Sequence, residues 1–184
     1  VVHAYHGLRD LAASKGVRFL HEAAVMGGAP IFSLFREALP AAQLTRLRGI
    51  LNSTTNLMLT EMENGASFDQ AVKKAQDMGI AETDPSFDVD GIDAAHKITL
   101  LASMAFGAEL TFKEVPTEGI RHITPLDIES AAEFGFRIKL LGITKRRVEE
   151  GQERLEVRVH PTMIPADSIL AKVDGAMNAI AVHG

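Results

Sequence analysis

The feature that most constrains this chain is a pair of alternating segments in its last third. IKLLGITKRRV (138–148) and ERLEVRVHPTMI (153–164) both repeat with the period of β-strands. Between them lie Glu149, Glu150, Gly151 and Gln152, a composition suited to a hairpin turn. A hairpin this long cannot bury its apolar residues alone. It needs further strands beside it and a layer of helices across it. Three more segments read as strands: VRFLHEAAV (17–25) as a buried one, LTRLRGIL (44–51), and residues 177–183. The fold class expected is therefore α+β, a mixed and largely antiparallel sheet covered by helices. A sheet face left uncovered by those helices could serve as a dimer surface.

The helices come from the 3.6-residue period and from punctuation. Residues 4–15 have helical spacing with Leu8, Leu11 and Ala12 on one face, and Lys15-Gly16 is a stop. Residues 31–39 read as a short helix ending before Pro40. Asn52 to Asn64 is a third, with Leu57, Leu59 and Met62 inward and Gly65 as its stop. Ser67-Phe68-Asp69-Gln70 is a capping-box pattern opening a helix over 68–78, which Gly79 ends in a left-handed cap. Residues 91–106 make the longest apolar helix, with Ile92, Ala95, Ile98, Thr99, Leu101 and Ala102 inward. Residues 125–134 and a short piece near 166–171 complete the set. No internal repeat or low-complexity tract interrupts the chain, so it reads as one domain.

Composition removes several function classes. With 184 residues, 46% of them hydrophobic, the chain is long enough for a real core. Its formal net charge is -5 and its basic residues are scattered, against the basic stripe that nucleic acid requires. There is no cysteine, so disulfides and cysteine-ligated zinc are excluded. No apolar run is long enough to span a membrane and no secretion signal is visible, so the cytoplasm is the default compartment. The glycosylation-like triplet Asn52-Ser53-Thr54 then reads as coincidence. Val1 directly precedes a helical pattern and Gly184 ends a strand, so the chain is expected to be a piece of a longer protein.

The stretch GIAETDPSFDVDGIDAAHK (79–97) is where chemistry is expected. It carries five carboxylates, Glu82, Asp84, Asp88, Asp90 and Asp93, and closes on Lys97. Asp93 and Lys97 are four apart on a helix and share a face. They form either a solvated ion pair or a working pair in which the carboxylate holds a lysine amine for proton transfer. Asp88 or Asp90 can also be the N-cap of helix 91–106, Asp90 with Asp93 resembles a capping box, and acids there favour the helix dipole. Glu82, Asp88 and Asp93 could instead hold magnesium or manganese, although the spacing is not that of an EF-hand.

Two further segments draw attention. EAAVMGGAP (22–30) is a Gly/Ala loop whose backbone carbonyls suit a hard, weakly bound cation, or is simply a tight turn. GILNSTTN (49–56) runs a strand into a helix whose start offers hydroxyls and free N–H groups to a polar ligand, with Ser53 or Thr54 otherwise only its N-cap. His3 and His6 share a helix face and His96 adjoins Lys97; none of the seven histidines has zinc-site company, so surface or hydrogen-bonded roles are expected.

These three segments, in this order, resemble homoserine dehydrogenase, and the resemblance extends across the chain to HPTMIPADSILAKVDGAMNAIAVHG (160–184). Ser53 stands where a glycine is commoner in the family, and Ile80 where a tyrosine is frequent. The resemblance implies reversible reduction of aspartate 4-semialdehyde to homoserine with NADH or NADPH, in threonine and methionine biosynthesis. It implies Lys97 as the acid/base lysine and Asp93 as its orienting partner or a ligand of the substrate amine. It implies Glu82 as a second ligand of that amine, helped by the backbone near Gly79, with Thr54 lining the pocket and Asp88 as a further acid of the site. Backbone carbonyls of Glu22, Val25, Gly27 and Ala29 match the family's structural sodium ligands. No GxGxxG follows a strand here; the resemblance places the nucleotide-binding domain and another functional lysine before Val1, and a closing segment after Gly184. The chain is then the substrate-binding and dimerisation domain of a homodimer or higher homo-oligomer, inactive or nearly so alone. The competing reading is a non-catalytic dimerisation or ligand-binding module whose acids only cap helices.

Overall fold

A computed structural model describes residues 1–38, 41–149 and 151–184. The chain opens with a 3-10 turn and α1 (Tyr5–Ser14), followed after an irregular segment by α2 (Ile31–Ser33), which continues as a π-helical turn over Leu34–Ala38. Then come β1 (Arg46–Ile50), α3 (Ser53–Glu63), α4 (Phe68–Asp77), α5 (Ser86–Val89) and α6 (Ile92–Phe106). The last third holds α7 (Pro125–Glu133), β2 (Phe136–Glu149), β3 (Gln152–Pro165) and β4 (Ala179–His183).

The four strands form one antiparallel sheet in the order β3-β2-β1-β4. The long hairpin is present, paired in register from Phe136↔Pro165 to Glu149↔Gln152; Glu150, expected in its turn, lies outside the described residues. Alternation gives the sheet two faces. Ile138 and Leu140 join the main core with α3, α6 and α7, while Leu141 and Ile143 point the other way into a small second cluster with Ile50, Ile164, Leu170 and Ala171. The helices thus pack on one face, and among the described residues the other carries the segment that ends in a 3-10 turn at Leu170–Lys172.

One contact between layers bears directly on the site. Gly142 of β2 lies opposite Gly49 of β1. A Cβ on Gly142 would stand 2.7 Å from Leu51 Cδ1 and 3.1 Å from Ile98 Cβ. The missing side chain lets α6 press against the sheet and brings Leu51 beneath it. The core of α6 is accordingly dense, with Ala94, Ala95, Ile98, Thr99, Leu100, Leu101, Ala102 and Ser103 all buried.

Several expectations give way. Residues 17–25 form no strand: the segment joins no ladder, Val17 and Leu20 are 61% and 63% exposed, and Glu22–Ala24 is a 3-10 turn. Apolar content there reflects aromatic packing instead, with His21 stacked on Phe19 at 4.6 Å and tilted against Phe32 at 4.6 Å. Helix α1 does not bury Leu8 and Leu11, which are 39% and 56% exposed. It docks through its first turn, by the buried Tyr5 and a contact of 3.0 Å from His6 Nε2 to Leu110 O. The helix expected over 31–39 is seen to Ala38; residue 39 and Pro40, where it was to end, lie outside the described residues.

Candidate active site

The first wall of the site is the start of α3. Its N-cap is Asn52, not Ser53 or Thr54: Asn52 Oδ1 accepts from the Thr55 backbone N–H at 2.8 Å and from Thr55 Oγ1 at 2.9 Å. Asn outranks Thr as a cap because its carbonyl reaches the free N–H groups from an extended backbone. Capping turns the rest of the amide outward. Asn52 Nδ2 donates to Asp88 Oδ1 at 2.6 Å and to Asp93 Oδ2 at 2.9 Å.

The second wall is the acidic stretch itself, and here the capping interpretation fails. Neither Asp88 nor Asp90 caps α6. The chain leaves α5 at Asp90 and enters α6 through Gly91, whose φ of 80° is the left-handed region and which offers no side-chain cap. Asp88 and Asp90, two residues apart on the turn of α5, face different sides. Asp90 turns away to Arg121, 2.8 Å from its Nε, and this guanidinium holds its carboxyl below the usual carboxylate range. Asp88 and Asp93 turn inward. The Ser86 hydroxyl, and then the Ser86 N–H that Asp84 accepts from at 3.0 Å, lower the Asp84 carboxyl as well.

Lys97 closes the floor. Its Nζ lies 2.7 Å from Asp93 Oδ2 and donates to Leu51 O at 3.0 Å. The Lys97 and Asp93 side chains are 21% and 20% exposed, so the pair is sheltered yet reachable. The resulting cleft measures about 390 Å³ and is lined by Asn52, Ser53, Thr54, Ile80, Glu82, Asp84, Phe87, Asp88, Asp93 and Lys97. Thr54 Oγ1 faces Ile80 O at 3.4 Å. The Glu82 side chain is exposed, while its backbone carbonyl and that of Thr83 accept from Gln76 Nε2.

Of the residues the sequence singled out, Lys97, Asp93, Glu82, Asp88 and Thr54 meet in this one cleft. Gly79 stands beside the lining rather than in it, in the left-handed conformation (φ 69°) that ends α4. One cation faces four carboxylates, a balance that favours a ligand carrying positive charge. Among the described residues, no group of three His, Cys, Asp or Glu is arranged to hold a metal; Asp88 and Asp93 are instead held apart by an amide. The residue missed in the sequence is Asn52. As a cap it ranks level with Ser53 and above Thr54, so residue type alone did not single it out.

The Glu22–Ala29 segment lies away from the cleft. The Glu22 carboxylate accepts from Phe32 N at 2.9 Å, Ser33 N at 2.8 Å and Ser33 Oγ at 2.6 Å. Burial pushes its acid form up, but these bonds and Arg36 outweigh that and bring it down. Val25, Gly27 and Ala29 lie in turn backbone outside helix and strand. Among the described residues Ala29 O accepts from Ile31 N–H at 2.9 Å, whereas Glu22 O already accepts from Val25 N–H at 3.2 Å and Met26 N–H at 3.3 Å; Val25, Gly27 and Ala29 thus offer carbonyl oxygens of the type a hard monovalent cation takes, and Glu22 is the least available of the four. His3, His122 and His183 are exposed, and His6 and His160 are hydrogen-bonded, as expected. His96 packs edge-on to Phe112, Phe87 and His3, and burial first, then His3, lowers its ring below the usual range.

Residues 30–184 match the family model described as homoserine dehydrogenase. The chain is 50% identical over 184 residues to homoserine dehydrogenase of Pseudomonas aeruginosa, covering 98% of this chain and 42% of that protein. A crystal structure of a homoserine dehydrogenase from Thiobacillus denitrificans superposes with a TM-score of 0.93 at 49% identity, covering 99% of this chain and 42% of that one. A hyperthermophilic archaeal homoserine dehydrogenase mutant, solved in complex with NADPH, superposes with a TM-score of 0.78 at 29% identity over 98% of this chain and 50% of its own. The chain thus spans less than half the length of the curated relative it matches.

Proposed function

The chain belongs to the homoserine dehydrogenase family, and from that premise we propose that it is the substrate-binding and dimerisation part of an NAD- or NADP-dependent homoserine dehydrogenase. The protein that contains it interconverts L-homoserine and L-aspartate 4-semialdehyde, a step of threonine and methionine biosynthesis in the cytoplasm. The observation that carries this reading is the cleft: a sheltered lysine ammonium at 2.7 Å from Asp93, facing Asp88, Asp84 and Glu82.

Lys97 donates a proton to the oxygen that develops negative charge as the aldehyde is reduced, and takes it back in the reverse direction. Asp93 holds the ammonium at one end and the Leu51 carbonyl holds it at the other. With Asp93 so engaged, the exposed Glu82 carboxylate is the principal partner of the substrate ammonium, and Thr54, Asp88 and the backbone around Gly79 complete the pocket. Bound nicotinamide supplies or accepts the hydride. The residues of this chain fit the substrate, while no glycine-rich strand-to-helix turn offers a dinucleotide its phosphate cradle. Carbonyls of Glu22, Val25, Gly27 and Ala29 hold a sodium ion that steadies the loop before α2. The sheet face opposite the helices, covered only by the small cluster around Leu141 and Ile143, supports a homodimer.

The test uses the full-length protein that carries this chain. NAD(P)H-dependent reduction of aspartate 4-semialdehyde, together with a rise in thermal midpoint on adding L-homoserine, is the expected result. Absence of both would leave the non-catalytic module in its place.

A further inference from the structure

Asn52 does more than begin a helix. It is 4% exposed, and every polar atom of its side chain is committed. The Thr55 backbone N–H is a fixed donor, so the oxygen of the amide must face it at 2.8 Å. The nitrogen is thereby forced to the other side, where only acceptors wait: Asp88 Oδ1 at 2.6 Å and Asp93 Oδ2 at 2.9 Å. Asp93 Oδ2 is also the atom 2.7 Å from Lys97 Nζ. One neutral NH2 group therefore joins two carboxylates from different elements, one in α5 and one in α6, to the start of α3.

From this geometry we infer that Asn52 is a positioning residue for the proposed reaction, setting the spacing of Asp88 and Asp93 and through Asp93 the place of the Lys97 ammonium. The inference rests on reading the cleft as the dehydrogenase site. Its physical content is charge economy. Two ionised carboxylates side by side repel unless a donor stands between them. A lysine or arginine could do so, but would cancel negative charge that the substrate ammonium needs. An amide supplies both hydrogen bonds at zero charge, and its orientation cannot invert because the helix cap locks it.

Capping and positioning can be separated, because Asn, Asp and Ser are comparable N-caps. In the full-length enzyme, Asn52→Asp and Asn52→Ser both keep an acceptor for the Thr55 N–H; Asn52→Ser is expected to leave the thermal midpoint nearly unchanged, and Asn52→Asp, which sets a third carboxylate against Asp88 and Asp93, to lower it at neutral pH. Asn52→Asp replaces the donating NH2 with a third carboxylate oxygen and is expected to lower kcat roughly 100-fold, the scale set by displacing a reacting group by an ångström. Asn52→Ser loses the donor without adding charge and is expected to fall less. A cap-only role predicts both variants near wild-type kcat. The decisive comparison is Asp88→Asn in the two backgrounds. It should lower kcat in the wild-type enzyme but raise it in Asn52→Asp, because it reduces three facing carboxylates to two and returns an amide donor beside position 52. Equal losses in both backgrounds, or near-wild-type kcat in Asn52→Asp, would overturn the inference while wild-type turnover leaves the dehydrogenase reading intact. A wild-type enzyme without turnover overturns both.

Discussion

Lys97 Nζ sits 2.7 Å from Asp93 Oδ2, one helical turn back along α6, and 3.0 Å from the carbonyl of Leu51, the residue that follows β1. The ammonium is thus fixed between a helix and the end of a strand, with its third hydrogen free for the cleft. Lys97→Ala in the full-length enzyme is expected to lower kcat by about 10²- to 10⁴-fold, the usual contribution of a positioned acid/base group. Lys97→Arg is not expected to rescue it, since a guanidinium does not give up its proton. Steady-state kinetics with homoserine, alongside an unchanged thermal midpoint, check this; near-normal turnover would remove Lys97 from the mechanism.

Glu82 lines the same cleft but remains exposed. Its charge is available for a ligand rather than committed to the fold. Glu82→Gln is expected to raise the KM for homoserine by about 10- to 100-fold, equivalent to a charged hydrogen bond of roughly 1.5–3 kcal/mol, with little change in stability. An unaltered KM would assign the substrate ammonium to another acid.

Gly142 tests the link between packing and site. An added methyl would stand 2.7 Å from Leu51 Cδ1 and 3.1 Å from Ile98 Cβ, both of them in the core. Gly142→Ala should cost about 1–3 kcal/mol by overpacking, read as a lower denaturation midpoint. Because Leu51 also supplies the carbonyl that anchors Lys97, kcat should fall with it. Full stability in the variant would show that α6 has room to retreat.

The Asp90–Arg121 pair gives a pH signature. Hydrogen bonding to Arg121 depresses the Asp90 carboxyl from its ordinary value of 3.8. A depressed acid contributes stability that is complete above the unfolded value and is lost as pH falls through the folded one. Both side chains are nearly half exposed, so the effect at neutral pH is small. Arg121→Ala should move the acid-unfolding midpoint, followed by circular dichroism, to higher pH. An unmoved midpoint would show that the pair adds nothing to acid stability.

The loop from Glu22 to Ala29 provides the ion test. Replacing sodium with choline at equal ionic strength should lower the thermal midpoint of the full-length protein, and returning sodium should restore it saturably. Identical midpoints in both salts would remove sodium from that loop and leave it braced by its own bonds, among them the Glu22 carboxylate to Phe32 and Ser33.

Legibility followed the range of the interactions. The capping box at Ser67 and Gln70, the left-handed Gly79 and the hairpin of β2 and β3 were readable because each is satisfied by neighbours in sequence or by a simple period. The strand expected at 17–25 failed because Phe19 packs on Tyr5 and on His21 of its own segment, while Val17 and Leu20 stay exposed and none of them meets a strand edge. Leu8 and Leu11 show the same limit, since helical spacing marks a face but not what covers it.

By itself the sequence determined that Asp93 and Lys97 share a helix face, that an acid-rich segment precedes them, and to which family the three motifs point. Those properties depend on residue type and spacing alone. Only the tertiary structure decided the roles of the individual acids. Two residues apart on the turn of α5, Asp90 meets Arg121 and Asp88 meets Asn52, and a cap on α3, 36 residues earlier in the chain than Asp88, locks an amide between Asp88 and Asp93. Charges adjacent in sequence acquire different chemistry because a hydrogen bond is short and directional, and which donor lies within its reach is set by the packing of α3, α5 and α6.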